Sequence, residues 1–121
     1  MKKHILTIDD EVEIRDLLHE VLSVAGYRVS GASTAAEAME IVRKDPPQLI
    51  FTDLQLEETD GFDVIEQVKA FAPNTPVILL TGVLFDPAVI TGPAGEKIAC
   101  YIEKTAPLDH ILKAVKKYMP E

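Results

Sequence analysis

Four short, mostly apolar runs constrain the fold of this chain more than any other feature. They occupy residues 5–8, 49–52, 77–80 and 100–103. Short apolar runs bounded by turn residues are typical of strands that are buried on both faces of a parallel sheet. Between them, apolar residues recur at helical spacing over 14–22, 38–42, 64–71 and 108–119. This alternation of strands and helices predicts an α/β domain with a doubly wound parallel sheet.

Turn and capping residues set the expected limits of the elements. Gly26 offers a stop for the first helix, and residues 27–30 form a candidate strand. Thr34 and Glu37 have the spacing of a capping box for the second helix. Pro107 suits the first turn of the last helix.

The segment 82–98 is rich in glycine and proline, and it should contain the fourth helix. Asp86 and Pro87 form a good helix start, with Asp as N-cap and Pro at the first position. Gly92 and Pro93 follow within two turns, and a proline inside a helix costs about 3 kcal/mol. We therefore predict a short or irregular fourth helix that ends near Thr91, and an output surface that differs from the usual one.

Composition limits the location and the partners of the chain. The 121 residues fit one domain over 1–121, and the formal net charge of -8 argues against direct nucleic-acid binding by this chain. The N-terminus lacks a signal-peptide apolar region, and no apolar stretch approaches the roughly 18 residues of a membrane span. A single cysteine suits a reducing compartment. We expect a cytoplasmic protein with no membrane contact.

Residues with chemical function follow each of the four runs. Asp9 and Asp10 come after the first, Asp53 after the second, Thr81 after the third and Lys104 after the fourth. The carboxyl ends of parallel strands converge on the ligand-binding crevice. Carboxylates about 4 Å apart repel by roughly 4 kcal/mol at an effective dielectric near 20, so either one is protonated or a cation neutralises them, and a hard cation such as Mg²⁺ is the natural choice. Because an aspartate can attack phosphorus to form an acyl phosphate, the pattern predicts a cation and phosphoryl site.

The chain resembles a response-regulator receiver domain of two-component signalling over nearly its whole length, similar to the chemotaxis regulators. The residues that match are Asp9, Asp10, Glu11, Asp53, Gly61, Thr81, Tyr101 and Lys104. The resemblance implies a flavodoxin-like fold with five parallel strands in the order 2-1-3-4-5. It also implies a switch that catalyses only its own phosphorylation and dephosphorylation and does not turn over an external substrate.

The resemblance also implies roles for individual residues. Asp53 would be the phosphoacceptor, supplied by a sensor histidine kinase, a phosphotransfer protein or a small phosphodonor. Mg²⁺, for which Mn²⁺ should substitute, would be bound by Asp10 and Asp53 directly, by Asp9 through water and by the backbone carbonyl of Gln55. The remaining roles are phosphoryl contacts from Thr81 and Lys104, a conformational switch involving Thr81 and Tyr101, and an output through an attached domain or a separate target.

Several alternatives stay open on the sequence alone. Asp9 and Asp10 could simply cap the first helix, Tyr101 could be a packing residue, and Lys104 could be a surface charge. The whole chain could be a pseudo-receiver, an interaction module that no longer uses phosphorylation, or a phosphohydrolase acting through an aspartyl phosphate. Thr105 replaces the proline that usually follows the lysine in the family, so we expect a trans peptide bond between Lys104 and Thr105.

Overall fold

Five parallel strands form the sheet of the computed structural model, which describes residues 3–53, 61–81, 98–103 and 106–119. The strands are β1 His4–Ile8, β2 Arg28–Ala32, β3 Leu49–Thr52, β4 Val77–Thr81 and β5 Cys100–Glu103. Their spatial order is β2-β1-β3-β4-β5, and every neighbouring pair is parallel. The predicted fold class and strand order are therefore confirmed.

Four described helices cover the two faces of this sheet. They are α1 Val12–Val24, α2 Ala35–Lys44, α3 Gly61–Phe71 and the C-terminal helix Leu108–Tyr118. The predicted short fourth helix and the Lys104–Thr105 bond lie outside the described residues. None of the helices in the described ranges is long and apolar enough to cross a membrane.

The core consists of two apolar clusters, one on each face of the sheet. Alternate residues of a strand point to opposite faces, so Leu6 of β1 joins one cluster and Ile5 the other. The first cluster packs α2 and α3 against the sheet, and the second packs α1 and the C-terminal helix. Burial on both faces explains why the strands are continuous apolar runs.

Most predicted element limits are confirmed, and two need correction. Gly26, with φ of 102°, follows α1 as expected, and the hydroxyl of Thr34 accepts a hydrogen bond from the amide of Glu37 at 3.2 Å. Pro107 is the N-cap of the C-terminal helix and not part of its first turn. β2 covers Arg28–Ala32 and not 27–30, because it pairs with β1 over the full length of that strand.

Candidate functional site

The central position of β1 and β3 brings the predicted acids together. Ile8, the last residue of β1, pairs with Thr52, the last residue of β3. Hydrogen bonding continues one residue further, because the Asp53 amide donates to the Ile8 carbonyl at 2.9 Å and the Asp9 amide donates to the Ala32 carbonyl at 3.0 Å. Asp9 and Asp53 are thus held at the carboxyl edge of adjacent strands.

Four carboxylates form one acidic cluster at this edge. Asp9, Asp10, Glu11 and Asp53 each contribute an oxygen, and these atoms all lie within 4.8 Å of one another. Asp9 is 2% exposed and Asp53 5% exposed, whereas Asp10 and Glu11 are exposed. The cluster therefore has two buried members at its base and two exposed members at its rim.

Backbone hydrogen bonds and an arginine hold the segment 9–11 in place. The Glu11 amide donates to Oδ1 of Asp9 at 2.9 Å, and Nη1 of Arg15 donates to the Asp9 carbonyl at 2.5 Å. Glu11 occupies the N-cap position of α1, with φ of -85° and ψ of 110°. The N-cap residue of this helix is thus Glu11, and Asp9 contributes to the helix start through the hydrogen bond that its Oδ1 accepts from the Glu11 amide.

The donor set fits a hard divalent cation. All four ligand atoms of the cluster are carboxylate oxygens, which Mg²⁺ and Ca²⁺ prefer over the nitrogen and sulfur ligands typical of zinc. Two buried carboxylates at this distance also repel each other strongly, and a bound cation would remove that cost. A binding site for Mg²⁺ is thus consistent with both the chemistry and the charge of the cluster.

The other predicted site residues are described only in part. Thr81 is the last residue of β4 and pairs with Glu103, the last residue of β5, so its backbone lies at the same edge of the sheet as the acids. Gln55 and Lys104 lie outside the described residues, as does the side chain of Thr81. Their approach to the acidic cluster stays a prediction.

Tyr101 is partly exposed on β5. Its side chain is 40% exposed and lines an open groove between the end of β5 and the C-terminal helix. The groove also includes Glu103, Pro107 and His110. An exposure of 40% is compatible with a half-buried packing residue as well as with a switch, so the role of Tyr101 in switching stays a prediction.

Two residues near the cluster were missed as site residues at the level of the sequence. Glu11 was noted only as part of a matching motif, yet its carboxylate is the fourth member of the cluster. Arg15 lies four residues after Glu11, a spacing that would suggest an ion pair along the helix. Its guanidinium instead bonds the backbone of Asp9. Neither role has a signal in the sequence that separates it from an ordinary charged helix surface.

Comparisons with known proteins agree with this geometry. The family model described as the response regulator receiver domain matches residues 5–116. Sporulation initiation phosphotransferase F of Bacillus subtilis (strain 168) is 32% identical over 120 residues, which cover 99% of this chain and 96% of that protein. Response regulator MprA of Mycobacterium leprae is 34% identical over 77 residues, 64% of this chain and 34% of that protein. The chain thus spans nearly all of the first relative and about a third of the second.

Solved structures show the same architecture. The receiver domain of NtrX from Brucella abortus superposes with a TM-score of 0.84 at 28% identity, covering 95% of this chain and 97% of that one. TrrA from Thermotoga maritima, solved in complex with Mg²⁺ and BeF, has a TM-score of 0.85 at 26% identity and covers 97% of this chain and 99% of its own.

Proposed function

Because the chain belongs to the family of response-regulator receiver domains, we propose that Asp53 is its phosphoacceptor and that phosphorylation switches its conformation. The observation that carries this proposal is the position of the Asp53 carboxylate. It is almost fully buried at the end of a central strand, and three further carboxylates converge on it. Burying an acid among like charges costs free energy, and such arrangements occur preferentially at functional sites.

We further propose that the acidic cluster binds Mg²⁺, and that Mn²⁺ can substitute. Asp10 and Asp53 would be direct ligands, Asp9 would act through water, and the Gln55 carbonyl would complete the protein ligands. The metal would supply positive charge that neutralises the carboxylates and polarises phosphoryl oxygens. The all-oxygen donor set and the Mg²⁺ and BeF complex of TrrA support this assignment.

The residues of the chain would then carry out phosphoryl transfer to Asp53. A carboxylate oxygen of Asp53 attacks phosphorus, a new O–P bond forms, and the bond from phosphorus to the donor breaks as the donor leaves with its electron pair. Lys104 and Thr81 would contact the transferred oxygens, which fits their positions just after β5 and at the end of β4. Hydrolysis of the acyl phosphate restores Asp53, so the chain is modified reversibly and acts on no external substrate.

The signal would pass from Asp53 to the surface around Tyr101. Thr81 ends β4, and Tyr101 lies on the adjacent strand β5 opposite Leu79, so a movement at the phosphoryl group can reach the groove beside β5 through this strand pair. We propose a histidine kinase or a phosphotransfer protein as the donor, and an attached domain or a separate protein as the target. The net charge of -8 disfavours direct nucleic-acid binding by this chain, and we propose that it works in the cytoplasm.

One assay tests the phosphoacceptor directly. The purified protein is incubated with Mg²⁺ and acetyl phosphate, and its intact mass is then measured. We expect a labile gain of one phosphoryl group in the wild type, none in Asp53→Asn, and a strongly reduced gain in Asp10→Asn. Asp16→Asn is the matched control, because Asp16 is an exposed acid on α1 that is not a member of the acidic cluster.

Two outcomes would overturn the proposal in different ways. A labile phosphoryl group on Asp53→Asn would show that another residue is the acceptor. A wild-type protein that gains no phosphoryl group from acetyl phosphate or from a histidine kinase would favour the pseudo-receiver alternative.

A further inference from the structure

Arg15 reaches from α1 across the sheet edge to the loop that carries the acids. Its Nη1 donates to the Asp9 carbonyl at 2.5 Å, while its own backbone amide donates to the Glu11 carbonyl at 3.2 Å. Both hydrogen bonds act on the three residues that supply most of the acidic cluster. Only the first of them depends on the side chain of Arg15.

The position of Gly31 on β2 gives this side chain its path. A Cβ atom built on Gly31 would lie 3.4 Å from Cδ of Arg15, 3.8 Å from its Nε and 3.6 Å from Oγ1 of Thr7. The arginine stem therefore lies directly over Gly31. An alanine would make ordinary van der Waals contacts there, but a branched side chain would need the space that the stem occupies.

Holding the Asp9 carbonyl matters because the neighbouring bonds already fix the rest of that residue. The Asp9 amide is bonded to Ala32, and Oδ1 of Asp9 accepts from the Glu11 amide. With the carbonyl also held, the peptide plane after Asp9 has one orientation, and the Cα position of Asp10 follows from it. A charged donor such as guanidinium makes stronger hydrogen bonds than a neutral one.

We propose that Arg15 is a positioning residue for the Mg²⁺ site, and that a small, unbranched residue at position 31, here Gly31, is needed to let it reach. This inference rests on the proposed function, because it assumes that the acidic cluster binds Mg²⁺. The guanidinium preorganises the segment 9–11, so that the carboxylates of Asp10 and Asp9 converge before the ion arrives. Groups that orient metal ligands typically change metal affinity by 10- to 100-fold when they are removed.

The charge of Arg15 has the opposite effect, and this makes the proposal testable. A cation beside four carboxylates repels Mg²⁺, so loss of the charge alone would tighten metal binding. Loss of positioning would weaken it. Arg15→Met removes charge and hydrogen bond together, whereas Arg15→Lys keeps the charge but places its nitrogen one bond short of the arginine Nη1.

The experiment measures Mg²⁺ affinity by following amide resonances during a titration with MgCl₂ at constant ionic strength. We expect Arg15→Met to weaken binding by roughly tenfold. Arg15→Lys should also bind more weakly than the wild type, although its charge is unchanged. In the metal-free protein, the Glu11 amide should exchange with solvent faster in both variants, because its acceptor Asp9 is less firmly held.

Gly31 provides an independent route to the same result. Gly31→Ala is the matched control and should bind Mg²⁺ as the wild type does, while Gly31→Val should weaken binding because the valine displaces the arginine stem. Adding Gly31→Val to Arg15→Met should cause little further loss, since the two changes remove the same interaction. Urea denaturation of each variant checks that the protein under titration is folded.

The possible outcomes separate this proposal from the proposed function. If the wild type binds Mg²⁺ and Arg15→Met binds it equally well or more tightly, the positioning role is wrong and the metal site stands. If only the stability to urea falls while the affinity of the folded protein is unchanged, Arg15 is merely structural. If the wild type does not bind Mg²⁺, the metal assignment and this inference both fail.

Discussion

At the scale of single residues, the buried and the exposed members of the acidic cluster contribute differently to the site. Asp9 and Asp53 have almost no solvent around them, so their charges interact strongly and each depends on its neighbours. Asp10 and Glu11 are exposed, and water screens their charges. The buried pair therefore sets the position of the site and its electrostatic cost, while the exposed pair adds charge at the side from which an ion enters.

The first prediction at this scale concerns Glu11. Glu11→Gln removes one exposed carboxylate from the cluster without changing the size of the side chain. We expect Mg²⁺ binding to weaken by roughly 30-fold at low ionic strength, because a unit charge and a divalent ion 4 Å apart interact by about 2 kcal/mol in water. An Mg²⁺ titration of Glu11→Gln beside Asp16→Asn measures it, and affinity equal to that of the control would exclude a contribution from Glu11.

The sequence predicts some members of this site better than others, for a physical reason. Asp9, Asp10 and Asp53 directly follow buried strands, and the topology of a parallel sheet is sufficient to bring such residues together. Glu11 and Arg15 depend on the angle at which α1 leaves β1. That angle results from packing and hydrogen bonds such as the one from Glu11 to Asp9, which local spacing does not encode.

At the scale of elements, a polar cluster joins β1, β2 and the end of α2 at the edge of the sheet opposite to the acids. His4 is 1% exposed, and its Nε2 lies 2.7 Å from the hydroxyl oxygen of Ser30. Its Nδ1 lies 3.8 Å from Oδ2 of Asp45, which is itself paired with Arg28. Burial lowers the pKa of His4, and the charge of Asp45 opposes this effect only in part.

The second prediction follows from the direction of that shift. Because the pKa of His4 is lower in the folded protein, the unfolded chain binds the proton more readily. The contribution of His4 to stability is therefore fully present above the unfolded value near 6.5 and is lost as the pH falls below it. Its slope cannot exceed about 1.4 kcal/mol per pH unit for one proton.

Urea unfolding between pH 7.5 and 5 measures this contribution. We expect the free energy of unfolding of the wild type to fall over this range, and the fall to be smaller in His4→Gln. His19→Gln is the matched control, because His19 is exposed on α1. The charged neighbours Asp45 and Arg28 are unchanged in both variants. A pH dependence that is the same in His4→Gln as in the wild type would contradict the assignment.

The helices show where sequence patterns stop being informative. The apolar spacing over 14–22 includes both Leu17 and Leu18, but Leu18 is buried whereas Leu17 is 42% exposed. The apolar spacing over 64–71 likewise includes Phe71, yet this residue is the last of α3 and is 53% exposed. Periodicity gives the direction of a side chain. It does not show how wide the contact with the sheet is, or where the sheet beneath the helix ends.

At the scale of the whole molecule, the fold brings like charges together against their repulsion. The parallel pairing of β1 with β3 and the two apolar clusters are stable because they bury large apolar side chains such as Phe51 and Ile78. This strand pairing also places the acids at the strand ends close to one another. The repulsion among these carboxylates opposes part of the free energy gained by burying the core, and a bound cation should relieve that repulsion.

The last prediction tests this coupling between the site and the stability of the fold. Asp53→Asn removes one buried charge from the acidic cluster and keeps the shape of the side chain. In EDTA, we expect Asp53→Asn to melt at a higher temperature than the wild type, because the repulsion among the carboxylates is reduced. In Mg²⁺ the order should change, since the wild type gains the free energy of metal binding and the variant gains less.

The size of the effect can be estimated and checked. At a Mg²⁺ concentration about 100 times Kd, the wild type should gain roughly 2.7 kcal/mol, or about 10 °C in Tm for a domain of this length. Thermal melts followed by circular dichroism, with KCl added to match the ionic strength, measure this gain in the wild type, Asp53→Asn and Asp16→Asn. Asp16→Asn should respond to Mg²⁺ as the wild type does. If Asp53→Asn melts below the wild type in EDTA and gains as much from Mg²⁺, the carboxylate of Asp53 is neither a net source of repulsion nor a ligand that contributes to metal binding, and its assignment to the Mg²⁺ site is wrong.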